Sequence, residues 1–167
     1  PLVPAVESEK LEQEIGLIKD QYLLFTSGDF QVFCCPSIHI PSIMNELGRL
    51  REKTFRKVGE GTNRSIDVDE YDLYYQQLFV WDSIEKKIVG AYRVGKGKEI
   101  LNQYGRKGFY LQSLFRFSSK FNSILEESLE LGRSFIVEEY QKKPLPLFLL
   151  WKGILYFLIK INTTFNT

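Results

Sequence analysis

The chain has 167 residues, 44% apolar and 26% charged, with 22 lysines and arginines against 21 acids, a net charge of +1. That length suits one domain, 1–167, with its own core, and the even charge gives no electrostatic reason to expect a nucleic-acid partner. The single histidine, His39, argues against histidine-based triads and multi-histidine metal centres, and neither a P-loop nor a dinucleotide fingerprint occurs.

Residues 1–20 lack the apolar core of a signal peptide. Within residues 7–20, Glu and Lys alternate with Leu11, Ile15, Leu17 and Ile18, which predicts a polar, weakly amphipathic helix. Residues 22–26 and 30–35 flank Ser27-Gly28-Asp29, a hairpin signal. The second of these runs holds both cysteines, Cys34 and Cys35. A disulfide between neighbours is strained, so they read as strand residues on opposite faces in a reducing, cytoplasmic setting. Pro41 then suits the first turn of a helix over 41–56. Its stripe comprises Ile43, Leu47, Leu50, Thr54 and Phe55, with Arg51 beside it.

Residues 57–73 predict a loop that turns acidic at Asp67, Asp69, Glu70 and Asp72, without the spacing of a calcium loop. Residues 76–82 and 87–94 form a second hairpin pattern. Gly95-Lys96-Gly97-Lys98 reads as a solvated turn rather than a phosphate cradle, since no strand-to-helix frame is evident around it. A short strand over 109–117, a helix over 119–127 and a strand over 129–137 follow. Pro144 and Pro146 open a final helix reaching Lys160, ahead of a polar end, 162–167. Its apolar stretch is divided by Lys152 and Gly153 into two pieces too short to span a bilayer, which predicts a buried helix, with contact to a membrane surface as the minor reading. The order of elements predicts an α+β domain on a mostly antiparallel sheet.

Charges on apolar segments are the functional signal. In regular strands Val89, Ala91 and Arg93 share a face, as do Leu129, Leu131, Arg133 and Phe135, while Glu130 points the other way. A bulge near Gly132 would bring Glu130 and Arg133 to one side. Arg51, Arg93 and Arg133 require partners, which Asp69, Asp72 and Glu130 could supply. A structural ion-pair network and a catalytic cleft fit these residues equally well.

Taken in order, Leu50-Arg51-Glu52-Lys53-Thr54-Phe55, Asp69-Glu70-Tyr71-Asp72, Val80-Trp81-Asp82, Val89-Gly90-Ala91-Tyr92-Arg93 and Glu130-Leu131-Gly132-Arg133-Ser134 resemble the acyl-carrier-protein-dependent branch of the GNAT acyltransferase fold. This branch holds acyl-homoserine-lactone synthases and the hemolysin-like lipid N-acyltransferases for ornithine or glycine. The Bacteroidetes lipid enzymes are nearest, and the resemblance covers about residues 40–155. It implies transfer of a long, often 3-hydroxylated, acyl chain from acyl carrier protein, or from acyl-CoA, to an amino acid's amine in aminolipid biosynthesis. It also implies a catalytic role for Glu130 and Arg133, and a substrate-binding role for Arg51, Phe55, Asp69, Asp72 and Arg93. Glu130 is the expected base, and Arg106-Lys107 or Lys142-Lys143 the expected carrier-protein patch. No metal is implied, and the expected setting is cytoplasmic, with peripheral contact at the inner membrane face.

The sequence departs from the family in two places. Tyr140-Gln141-Lys142-Lys143-Pro144 stands where a pyrophosphate-binding loop is usual, which disfavours an ordinary acetyl-CoA enzyme. Family members also continue past the last helix with a strand that splays to admit the pantetheine arm. Residues 161–167 do not resemble it, and Pro1 in place of Met points to a clipped start. Weak or absent turnover is expected unless something replaces that wall. The alternatives are a non-catalytic module that binds acyl carrier or lipid, and a lactone synthase dependent on S-adenosylmethionine.

Overall fold

The computed structural model describes residues 1–164. Five antiparallel strands, β1 (Leu23–Ser27), β2 (Phe30–Pro36), β3 (Gln76–Asp82), β4 (Lys87–Lys96) and β5 (Leu129–Ile136), form one sheet in chain order. The predicted α+β architecture is the observed one. Helices α1 (Ser8–Tyr22) and α2 (Pro41–Lys57) cover one face, and α6 (Leu145–Thr164) covers the other. Period-2 alternation explains the two cores. Phe33 and Cys35 pack under α1 and α2, whereas Val32 and Cys34 pack under α6. Burial pushes both cysteine thiols up, that of Cys35 to about 12, so neither is a poised nucleophile.

Two placements fix α2, the helix that presents Arg51. Its N-cap position is Ile40, which has no oxygen to offer the first amides. Buried Glu14 of α1 supplies it instead, accepting from the Ser42 amide at 2.7 Å and the Ile43 amide at 2.8 Å. Further along α2, Gly48 lets the acidic loop lie against the helix. Its carbonyl accepts from the Asp67 amide at 3.0 Å, and a Cβ there would stand 2.5 Å from Val68 Cγ2. Glu52 ties down the start of the same loop through the Thr62 and Asn63 amides and Arg56. Those bonds outweigh burial and hold Glu52 at about 2.

The structure corrects several sequence expectations. Residues 109–117 are not a strand: Tyr110–Leu114 is a short helix, α4. The Tyr75 hydroxyl and Glu130 take the Tyr110 and Leu111 amides that a strand would have used in its ladder. Residues 95–98 are not a free turn either. β4 runs directly into α3 (Gly97–Tyr104), and the Gly97 amide donates to Ser128 O at 3.0 Å. Third, the last helix runs through Lys152 and Gly153 as expected, with Gly153 against Val32 and Leu78, but its apolar stretch is not two short pieces: Leu145–Thr163 is by length and composition long enough to cross a bilayer. One face of α6 is buried and the other exposed, so it is not the wholly buried helix expected. Residues 165–167 of the expected polar end lie outside the described residues. The expected helix over 119–127 is a 3-10 turn leading into α5 (Asn122–Glu126).

Candidate active site

Two bulges decide which charges meet. Between β3 and β4 the register shifts after Val80–Gly90, so that Trp81 opposes Ile88. Val89 consequently faces α6, and only Ala91 and Arg93 point to the α2 side. Between β4 and β5, Ala91 opposes Phe135 but Arg93 opposes Gly132, leaving Arg133 and Ser134 across from Tyr92 alone. Arg133 takes the left-handed backbone, φ 49°, at this bulge. Regular alternation fails here, and Glu130 and Arg133 lie on the α2 side together with Arg51 and Arg93.

The buried arginines are held by the acidic loop. Arg51, with no exposed surface, donates to Asp72 Oδ1 at 2.9 Å and to Gln77 Oε1 at 2.6 Å. Gln77 Nε2 donates to the same Asp72 oxygen at 3.0 Å, and Asp72 Oδ2 accepts the Asp69 amide at 3.0 Å. Arg93 donates to Asp69 Oδ1 at 2.5 Å and lies 3.4 Å from Asp72. Burial works against the charge on Asp72, but the Arg51 and Arg93 guanidiniums overcome it and hold this carboxyl below its ordinary range. Three rings enclose Arg93, with Tyr71, Tyr75 and Tyr110 centred 5.4, 5.3 and 5.5 Å from its Cζ.

Arg133 sits differently. Its partner is Asp67, at 3.5 Å, and then Asp69, at 3.9 Å; of these, the sequence offers Asp69 as a partner for the arginines but not Asp67. Phe55 and Tyr110 flank its guanidinium at 5.9 and 5.8 Å. Beside it a cavity of about 250 Å³ is lined by Thr62, Arg64, Ile66, Asp67, Asp69 and Arg133. Arg133 Nε and Asp67 Oδ2 are buried and make no hydrogen bond among the described residues. Burial raises the Asp67 carboxyl against the pull of Arg133 and Arg51. This small cleft therefore presents carboxylates and guanidiniums together, complementary to a compact zwitterion.

Glu130 is buried on β5, 7% exposed. Its Oε1 accepts the Leu111 amide at 3.2 Å, whereas Oε2 has no hydrogen-bond partner among the described residues. Burial lifts its pKa above the usual carboxylate range, against the pull of the Leu111 amide, Tyr75 and Arg93. A buried carboxyl with one oxygen unengaged and a raised proton affinity is suited to receive a proton. On its far side β5 pairs with no strand among the described residues, so the edge offers backbone donors and acceptors beside Glu130. Leu131, Leu111, Leu114 and Phe115 are exposed.

All seven residues singled out by sequence fall within this region. Asp67, Gln77 and the tyrosines 71, 75 and 110 were not anticipated as site residues. Gln77 carried a legible signal, since it shares its strand face with the buried Phe79 and Trp81. Asp67 carried none, because only the Gly48 contact distinguishes it from a solvated loop acid. No group of three or more His, Cys, Asp or Glu among the described residues is arranged to hold a metal ion.

A glycine N(alpha)-acyltransferase of Phocaeicola vulgatus is 35% identical over 146 residues, covering 84% of this chain and 44% of that protein. One from Bacteroides thetaiotaomicron is 36% identical over 146 residues, with 84% and 43% covered. The chain thus spans less than half the length of these curated relatives. No solved structure matches it significantly. The model of the acetyltransferase (GNAT) domain matches residues 50–151, a stretch that contains Arg51, the acidic loop, both bulges and Glu130, and the chain belongs to that family.

Proposed function

We propose that this domain transfers a long, 3-hydroxylated acyl chain from acyl carrier protein to the amine of a small amino acid, glycine foremost, in the cytoplasmic synthesis of an aminolipid. The observation that carries this reading is Glu130, a buried carboxylate with one unengaged oxygen on β5, the same strand that presents Arg133 to the zwitterion-sized cleft. The two relatives being glycine N(alpha)-acyltransferases supports the choice of acceptor.

In this reading Arg133 holds the acceptor carboxylate and the loop aspartates hold its ammonium group. Glu130 takes a proton from the ammonium, directly or through water. The freed amine attacks the thioester carbon, and an amide of the 132–134 bulge stabilises the tetrahedral oxyanion. Collapse breaks the C–S bond and forms the amide. The departing thiolate takes up a proton, returning the carrier thiol. The phosphopantetheine amides run along the β5 edge as an added strand would, and the acyl tail follows Leu131, Leu111 and Phe115. Arg51 and Arg93 contribute by holding Asp72 and Asp69 in place.

The test is thiol release from 3-hydroxyacyl carrier protein, with mass detection of the N-acyl amino acid and calorimetry of glycine binding. Turnover with glycine is expected, falling at least about 100-fold in Glu130→Gln, together with glycine binding that Arg133→Ala abolishes. Acetyl transfer from acetyl-CoA without long-chain transfer would sink the proposal. Undiminished turnover in Glu130→Gln would reduce this carboxylate to an anchor for α4.

A further inference from the structure

The inner side of α6 seals the second core through Leu149, Leu150 and Phe157. Its outer side is as apolar but uncovered: Phe148, Trp151, Leu155 and Ile159 are 58%, 55%, 60% and 62% exposed. Their spacing places them on one stripe along a helix about 30 Å long. An apolar stripe of this extent marks a docking surface rather than ordinary solvent exposure.

Charge identifies the partner. Residues 140–164 contain no Asp or Glu, and their only charged side chains are Lys142, Lys143, Lys152 and Lys160. Setting those four aside leaves 18 lysines and arginines against 21 acids, a net −3 for the rest of the chain. The apolar stripe therefore lies within a long tract that carries positive charge alone, as residues 100–125, with Arg106, Lys107, Arg116 and Lys120, also do. Lys152 is held at the helix flank, 4.8 Å from the Phe25 ring and 5.7 Å from Tyr156. By length and composition α6 could cross a bilayer. Crossing would tear Leu149, Leu150 and Phe157 from the sheet, whereas lying flat leaves that core intact and immerses only the stripe. Trp151 and Tyr156 are the side-chain types that favour the headgroup boundary.

We propose that α6 seats the protein on an anionic lipid bilayer, lying in the plane of the surface with Phe148, Trp151, Leu155 and Ile159 dipped below the headgroups. Lys142 and Lys143 then meet the anionic lipids. This stands independently of whether the domain catalyses acyl transfer.

The chain's two tryptophans make the test direct, because Trp81 is 2% exposed and Trp151 is 55% exposed. Vesicles of phosphatidylcholine and phosphatidylglycerol at two to one should blue-shift the emission and co-sediment the full chain, while pure phosphatidylcholine vesicles do neither. Added salt should weaken the binding. Neutralising both lysines in K142Q/K143Q should weaken it roughly 25-fold, about fivefold for each lysine. Leu155→Glu should abolish it with the melting temperature unchanged. No shift with either vesicle, or retained binding in the folded Leu155→Glu protein, overturns the proposal. Equal binding to both vesicles overturns the anionic partner. A shift that grows with protein concentration alone, with a doubled mass by light scattering, assigns the stripe to a second copy instead.

Discussion

Asp72→Ala tests whether the acidic loop organises the arginines. The substitution removes the acceptor for Arg51 Nη1, for Gln77 Nε2 and for the Asp69 amide, and one of the two carboxylates facing Arg93. Arg51 and Arg93 are 0% and 1% exposed, so water cannot replace what is lost without opening the core. Truncating one member of a buried ion pair destabilises by about 3–5 kcal/mol. The three lost hydrogen bonds and two facing guanidiniums put Asp72→Ala toward the upper end. For a chain of this size that lowers the midpoint by roughly 6–20 °C, against a total stability of about 5–15 kcal/mol. Asp72→Asn keeps an oxygen for one donor and should lose less. Thermal and urea unfolding, followed by circular dichroism and by the buried Trp81, measure both. The pH dependence adds an independent check. Asp72 has a folded pKa below its unfolded value, so its charge stabilises the fold above about pH 3.9. That contribution disappears as pH falls through the lower folded value, and the gap between wild type and Asp72→Asn should close there. A loss in Asp72→Ala below about 1 kcal/mol would refute the idea that Asp72 holds the pair together. A Leu pair at 51 and 72 should recover much of the loss seen in either single variant.

Glu130→Gln should stabilise the protein at neutral pH while suppressing turnover, because a carboxylate with a raised folded pKa disfavours the fold above its unfolded pKa. Its advantage in melting temperature should vanish at acid pH, and a lower midpoint at pH 7 would contradict this. Gly48→Ala drives a Cβ to 2.5 Å from Val68 and 2.7 Å from Ile66. It should destabilise by about 1–3 kcal/mol and weaken glycine binding by displacing Asp67; unchanged binding in the folded variant would show that the loop is held elsewhere. Tyr110→Leu removes the ring between Arg93 and Arg133. It should cost about 0.5–2 kcal/mol of cation–ring attraction, read by urea unfolding, and an unaltered midpoint would count against the cage.

Much of the site was legible because charge on an apolar segment is conspicuous. Arg51 beside the Leu47–Phe55 stripe, Arg93 in an apolar strand and Glu130 with Arg133 each break a periodic pattern, and each lies in the observed cluster. Their pairing was not legible, since strand parity predicts facing only while the ladder stays regular. One extra residue at the β5 bulge reversed the parity between Glu130 and Phe135, and it gave Arg133 to Asp67.

The sequence by itself determined the α+β class, the mostly antiparallel sheet and the set of charges that would need partners, because these follow from local periodicity and from the cost of burying charge. Only the tertiary structure decided which carboxylate serves which arginine, that residues 110–114 coil into a helix instead of extending, and that α6 keeps an uncovered face. Those outcomes depend on contacts distant in the chain: Tyr75 and Glu130 capturing the amides of α4, Gly48 receiving the acidic loop, and Gly153 seated on β2 and β3. A residue's neighbours in sequence do not encode such contacts.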